Sequence, residues 1–167
     1  MANTAKEVTA LNPVSASLPK TKEILNQAVA DLYVAHIALH QVHWYMRGTA
    51  FMTWHPKMDD YMDSLDGYLD DISERLITLG GAPYSSLTEF LQHSEIEEYE
   101  GQFRDVPASL ERVLEIFRYL SGLFQKALDV TDEEGDDVTN DIFVGAKAEL
   151  EKNIWMLAAE LGQEPGL

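Results

Sequence analysis

The sequence predicts an all-α fold, a four-helix bundle with a short extra helix in its middle connection. Three observations lead there. Apolar residues recur at spacings of three, four and seven through four long stretches. Gly48, the run Gly80-Gly81-Ala82-Pro83 and Gly162 fall where those stripes stop. No segment alternates apolar and polar residues as a half-buried strand would, and nothing repeats at a fixed period.

The elements follow in order. Residues 1–20, with Pro13, Pro19 and little periodicity, read as a flexible N-terminal tail, and residues 21–167 as the bundle. The first helix starts at Thr21, carries Ile24, Leu25, Ala28, Leu32, Ala35, Leu39 and Val42, and stops at Gly48. The second runs from Thr53 or Trp54 to Leu79, with Pro56 in its first turn, where a missing N–H costs nothing. It closes on Gly80-Gly81 before Pro83. Ser86 to Gln92 is a short amphipathic piece in the connection. The third helix runs from Pro107 through Leu110, Val113, Leu114, Phe117, Leu120 and Phe124 to about Val130. The fourth begins between Thr131 and Asp136 and carries Ile142, Phe143, Ala146, Leu150, Ile154 and Leu157 to Gly162. Four long helices with one longer middle connection describe a bundle.

Composition narrows the function. The 167 residues suffice for one hydrophobic core, and 46% of them are apolar. Twenty-nine acids against 12 bases give a net charge of −17, which disfavours DNA or an anionic membrane as partner and suits the handling of cations. With no cysteine, disulfides, thiolate metal sites and cysteine nucleophiles are excluded. Neither a secretory signal nor an apolar run of bilayer length is visible, so the expected location is cytoplasmic.

The second helix holds the chemistry. His55 and Asp59 are four apart, as are Asp70 and Glu74, so each pair projects from one face. Eleven residues from Asp59 to Asp70 make three turns plus about 20°, which keeps both pairs on one stripe. Along the axis Asp59 and Asp70 lie roughly 16 Å apart, and His55 and Glu74 about 28 Å, at 1.5 Å rise per residue. A metal ion reaches ligands only about 2 Å away, so one chain does not bring all four to one ion. Two antiparallel copies do, if a two-fold axis crosses near Ser64-Leu65; the arrangement is isologous and builds two identical sites. His43, late in the first helix, is a further candidate, its access set by the turn at Gly48. Two histidines and three carboxylates suit Fe(II), Mn(II) or Zn(II). On spacing alone, a solvated acidic face accounts for Asp59, Asp63, Asp66, Asp70 and Glu74 as well as a metal stripe does.

The strings His43-Trp44-Tyr45-Met46-Arg47-Gly48, His55-Pro56-Lys57-Met58-Asp59 and Asp70-Asp71-Ile72-Ser73-Glu74-Arg75 resemble the Dps family of miniferritins. The likeness is strongest to the streptococcal-type branch, the Dps-like peroxide resistance proteins, and it continues through Gly80-Gly81-Ala82-Pro83 and through Asp132 to Met156. One departure is Asn153, where relatives often carry histidine before Ile-Trp-Met; no proposed ligand is affected. The resemblance implies a ferritin-like bundle assembled into a dodecameric homo-oligomer. It implies an intersubunit ferroxidase site with His43, His55 and Asp59 from one subunit and Asp70 and Glu74 from its two-fold mate. The implied substrates are Fe2+ and hydrogen peroxide, with Fe3+ mineralised inside the shell, Zn2+ or Mn2+ as competitors, and protection against oxidative stress as the outcome. A ferritin proper would carry Glu-x-x-His within each bundle; no histidine here has glutamate three residues before it. His36 and His40 read as core or interface residues, with His40 a candidate second partner to the site. Trp44 reads as a packing residue, with a further role as an oxidisable ring that quenches stray radicals.

Two other readings compete. A DNA-compacting protein would need a basic tail, and Lys6, Lys20 and Lys22 stand beside Glu7 and Glu23. A passive store of divalent metal would use the same ligands without turnover. Between Asp129 and Asp141 stand seven acids and no base. A helix start, where carboxylates meet the positive end of the dipole, explains Asp132 to Glu134. The resemblance instead implies that Asp132, Asp136 and Asp141 line a pore on a three-fold axis, with Asp137 an alternative to Asp136.

Overall fold

The computed structural model describes residues 17–167. Its long helices are α1 (Pro19–Tyr45), α2 (Phe51–Thr78), α4 (Val106–Glu134) and α5 (Asp137–Glu160), with short α3 (Leu87–His93) in the middle connection. α1 packs on α2 and α4, α5 packs on α4 and α2, and α3 lies against α1. This is the four-helix bundle with an extra helix that the periodicity predicts. Most of the expected tail, residues 1–16, lies outside the described residues.

The core is the sum of four apolar stripes. Met58, Leu65 and Ile72 recur every seven residues on α2 and are almost wholly buried, facing Leu25, Leu32 and Leu39 of α1 and Phe117 and Phe124 of α4. Asp31 lies fully buried in the middle of α1 and is satisfied there. It accepts hydrogen bonds from Gln27, from the Ser94 hydroxyl, from the Glu95 N–H and from the Tyr119 hydroxyl at 2.7–2.9 Å. It therefore ties the loop after α3 to both α1 and α4.

Three details depart from the sequence reading. α2 begins at Phe51, a turn before Thr53-Trp54, so Pro56 sits inside the helix and leaves the Met52 carbonyl without its intrahelical donor. The early start depends on a left-handed Ala50 (φ 67°), whose carbonyl accepts from the Thr53 and Trp54 N–H groups. A two-residue parallel pairing, β1 (Met46–Arg47) with β2 (Arg104–Asp105), joins the end of α1 to the start of α4; two residues are too few to show alternation. Finally, α4 runs to Glu134 and ends on left-handed Gly135 (φ 72°), so Asp132 to Glu134 occupy a helix end rather than a helix start. The carboxylates there face the negative pole of the α4 dipole, and the dipole explanation for them fails. It holds for Asp136, the N-cap of α5, and Asp137 in its first turn.

Glu134 has other work. Its carboxylate accepts from the backbone N–H groups of Lys20 and Thr21 at 3.1 and 2.8 Å, capping α1, whose own N-cap position, Leu18, offers no side-chain acceptor. Glu133 pairs with the Lys20 ammonium at 2.6 Å. Ser86 and Glu89 form a capping box that starts α3.

Candidate metal centre

The turn at 46–50 reverses the chain so that the last turn of α1 and the first turns of α2 lie side by side. His43 and His55 meet there with ring centroids 3.8 Å apart and planes 23° apart. Each imidazole is hydrogen-bonded to the other residue's backbone. His43 Nδ1 lies 2.9 Å from the His55 carbonyl, and His55 Nδ1 lies 3.0 Å from the His43 carbonyl. Carbonyls only accept, so this network assigns the proton to Nδ1 in both rings and leaves both Nε2 lone pairs free. The His43 carbonyl is available because it is among the last four of α1. Backbone-anchored histidines of this kind are characteristic metal ligands, with tautomer and ring orientation set in advance.

Asp59, one turn after His55, is exposed, and its Oδ1 lies 3.5 Å from His43 Nδ1. The carbonyl at 2.9 Å is the hydrogen-bond acceptor for that nitrogen; the carboxylate is a near neighbour that favours the same orientation. Asp70 and Glu74 are exposed on α2, which continues unbroken from Phe51 to Thr78, so their axial distance from the histidines stands. Among the described residues of one chain, no three His, Asp or Glu side chains come close enough to hold a metal ion. One chain thus carries two separated half-sets of donors.

A second column of rings runs along α1 toward His43. His36 and His40 meet edge-on at 4.7 Å, and His40 stacks on Trp44 at 4.8 Å. His36 Nδ1 lies 2.8 Å from Asp66 Oδ1, close but not aligned as a hydrogen bond, and His40 Nδ1 is buried without a partner. Burial, with the neighbouring His36 and His43, pushes the His40 pKa down, so its neutral form is favoured. Around these columns Tyr33, Ile37 and Trp44 of α1, Met52 of α2 and Leu87 and Leu91 of α3 expose apolar surface, Trp44 to 64% and Met52 to 82%.

The acidic corner divides its residues between two uses. Asp132, Asp137 and Asp141 are exposed. Asp136 is turned inward: it pairs with the Arg75 guanidinium at 2.6 Å, and its side chain is 4% exposed. It also accepts from the Thr139 N–H at 3.2 Å and from the Thr139 hydroxyl. Arg75 in turn donates to the Thr139 hydroxyl at 2.8 Å. The Asp136 carboxylate is spent within its own subunit, whereas Asp137, the alternative to it at the expected pore, is exposed. Sequence spacing does not separate it from Asp137, since the choice depends on Gly135. Two further features lay outside the sequence reading, the exchange of imidazole and carbonyl between His43 and His55, and the Arg75–Asp136–Thr139 cluster.

Known proteins match this sequence and fold. Residues 22–166 match the ferritin family, described as the ferritin-like domain. The chain is 64% identical over 152 residues to the DNA protection during starvation protein of Streptococcus suis, covering 90% of this chain and 88% of that protein. The structure of Dps from Listeria innocua soaked with zinc superposes with a TM-score of 0.84 at 41% identity, covering 87% of this chain and 98% of that one. Its cobalt-soaked counterpart gives 0.85 at 39%, covering 90% and 98%. With the family match, this degree of identity and the superposition of the fold agreeing, the chain belongs to the Dps family of ferritin-like proteins.

Proposed function

We propose that this protein is a ferroxidase and iron store that consumes hydrogen peroxide, working as a dodecameric shell with its iron sites shared between subunits. The observation that carries the reading is the reciprocal anchoring of His43 and His55, which leaves both Nε2 lone pairs free, with Asp59 a near neighbour of the His43 ring. The missing half of the donor set is Asp70 and Glu74 of the same stripe, supplied by a second copy across a two-fold axis near Ser64-Leu65. Exposed apolar side chains on α1 and α2, Trp44 and Met52 among them, give that copy apolar surface to bury.

In this reading two Fe2+ ions bind as substrates, each gives one electron, and the O–O bond of peroxide breaks. Two protons complete two molecules of water, so no hydroxyl radical leaves the site. The carboxylates favour the higher charge of Fe3+, and the fixed imidazoles hold affinity without reorganisation. Fe3+ then collects in the acidic interior as mineral. Asp132, Asp137 and Asp141, the exposed acids of the corner, form the entry rings on the three-fold axis, and three copies of each concentrate cations there. Zn2+ and Mn2+ compete for the same donors.

The relatives' name refers to protection of DNA. A subunit of charge −17 protects it by removing iron and peroxide rather than by binding phosphate. Among the described residues no helix is long and apolar enough to cross a membrane. A cytoplasmic site of action completes the proposal.

Anaerobic oxidation of Fe2+ with and without peroxide tests it. The unaltered protein should oxidise rapidly with peroxide. His43→Gly, or Asp70→Ala with Glu74→Ala, should slow the reaction by at least about a hundredfold while the shell still assembles, in line with loss of metal ligands. Unchanged rates in both variants would rule these residues out.

A further inference from the structure

α2 opens on Phe51, whose ring lies nearly parallel to the His55 imidazole, with centroids 4.7 Å and planes 28° apart. His55 stacks in turn on His43 at 3.8 Å and 23°. The His55 ring is thus stacked against two others, Phe51 of its own helix and His43 of α1. The hydrogen bond from its Nδ1 to the His43 carbonyl fixes which edge of the ring points inward, but a single bond still lets a ring rock about its own axis. Stacking against flat neighbours restricts that freedom. Phe51 is itself held by the backbone: it follows left-handed Ala50, its N–H donates to the Gly48 carbonyl at 3.2 Å, and its half-buried ring packs on the core.

Taking His43 and His55 as metal ligands, as proposed above, we infer that Phe51 is a positioning residue for the ion: it touches no metal but holds the His55 ring so that Nε2 keeps one bearing. An imidazole free to rotate must be ordered when a metal arrives; contacts within the chain that hold the ring in advance favour tight and geometrically selective binding. A leucine of similar bulk would fill the space but offer no flat face.

The test uses Co(II) as the probe, added to the assembled protein and followed by its visible d–d bands, which report ligand geometry directly. Phe51→Leu should weaken Co(II) binding roughly tenfold and shift the bands, and Phe51→Tyr should restore both. If Phe51 merely fills space, Phe51→Leu lowers the melting temperature and leaves affinity and bands as they were; that result overturns the inference. Should Phe51→Leu not assemble, Phe51→Met, apolar and without a ring face, carries the same comparison. His55→Ala separates the two levels of the argument. If His55→Ala binds Co(II) like the unaltered protein, the metal-site reading itself fails. If His55→Ala loses Co(II) while Phe51→Leu retains it unchanged, only the role of Phe51 fails.

Discussion

Asp136 shows how much one carboxylate decides. Burial alone would push its carboxyl up, but the two hydrogen bonds from Thr139 and the Arg75 guanidinium outweigh burial and hold the pKa below the ordinary 3.8. The fold therefore favours the ionised form. That contribution is complete above pH 3.8, where the unfolded carboxyl is also ionised, and is lost as pH falls below it through the depressed folded value. Asp136→Asn leaves a buried guanidinium without its counter-charge and should cost about 3 kcal/mol in chemical denaturation at neutral pH. It should also flatten the acid limb of stability against pH; an acid limb identical to that of the unaltered protein would count against the assignment. The sequence makes Asp136 and Asp137 equivalent, because either spacing fits a helical turn with Asp132 or Asp141. What separates them is left-handed Gly135, which sets where α5 starts and so which of the two acids turns inward. The candidate ligands were different. His43, His55, Asp59, Asp70 and Glu74 follow from spacing and family resemblance, whereas the carbonyl partners of the two histidines depend on the path of residues 46–50, which no local pattern encodes.

At the scale of the elements, the weak point of prediction is also a point of strain. Ala50 adopts φ 67°, a region that costs an ordinary side chain about 1 kcal/mol, and it starts α2 without a side-chain cap. Ala50→Gly should therefore stabilise the protein by about 0.5–1 kcal/mol, seen as a rise in melting temperature of a few degrees. A fall instead would mean that the Ala50 methyl group is making a contact worth more than the strain. The same turn explains why the sequence alone starts α2 late: proline prefers a first turn, whereas the observed first turn rests on Ala50, a residue with no turn signature. Helix existence and the core stripes were legible because Met58, Leu65 and Ile72 repeat with a period no loop imitates. The ends were legible where a local device marks them, as Ser86 and Glu89 do for α3. They were not where the device is distant, as with Glu134 at the start of α1.

For the whole molecule the central expectation is that each iron site belongs to two subunits. Mixing supplies a test that no single variant offers. Subunits carrying His43→Gly keep Asp70 and Glu74; subunits carrying Asp70→Ala and Glu74→Ala keep the histidines. Each kind alone is inactive, but dissociated, mixed and reassembled shells should recover about a quarter of the sites, since half the two-fold pairs are mixed and each mixed pair rebuilds one of two sites. No recovery in well-mixed shells would place both halves within one subunit. The exposed acids make a separate prediction. Asp132→Asn with Asp137→Asn and Asp141→Asn should slow iron uptake at low Fe2+ and low ionic strength, with the difference shrinking as salt is raised. Equal uptake at every salt concentration would leave the corner as a solvated surface. Finally, the capping of α1 by Glu134 has a bearing on the order of events during synthesis. The acceptor for the Thr21 N–H lies 113 residues further along the chain. At about 5–20 residues per second, a ribosome needs roughly 6–20 s to deliver it after Thr21 has been made. Until then the first turn of α1 has open amide groups and frays, so the helix made first is closed at its own beginning only once α4 is complete.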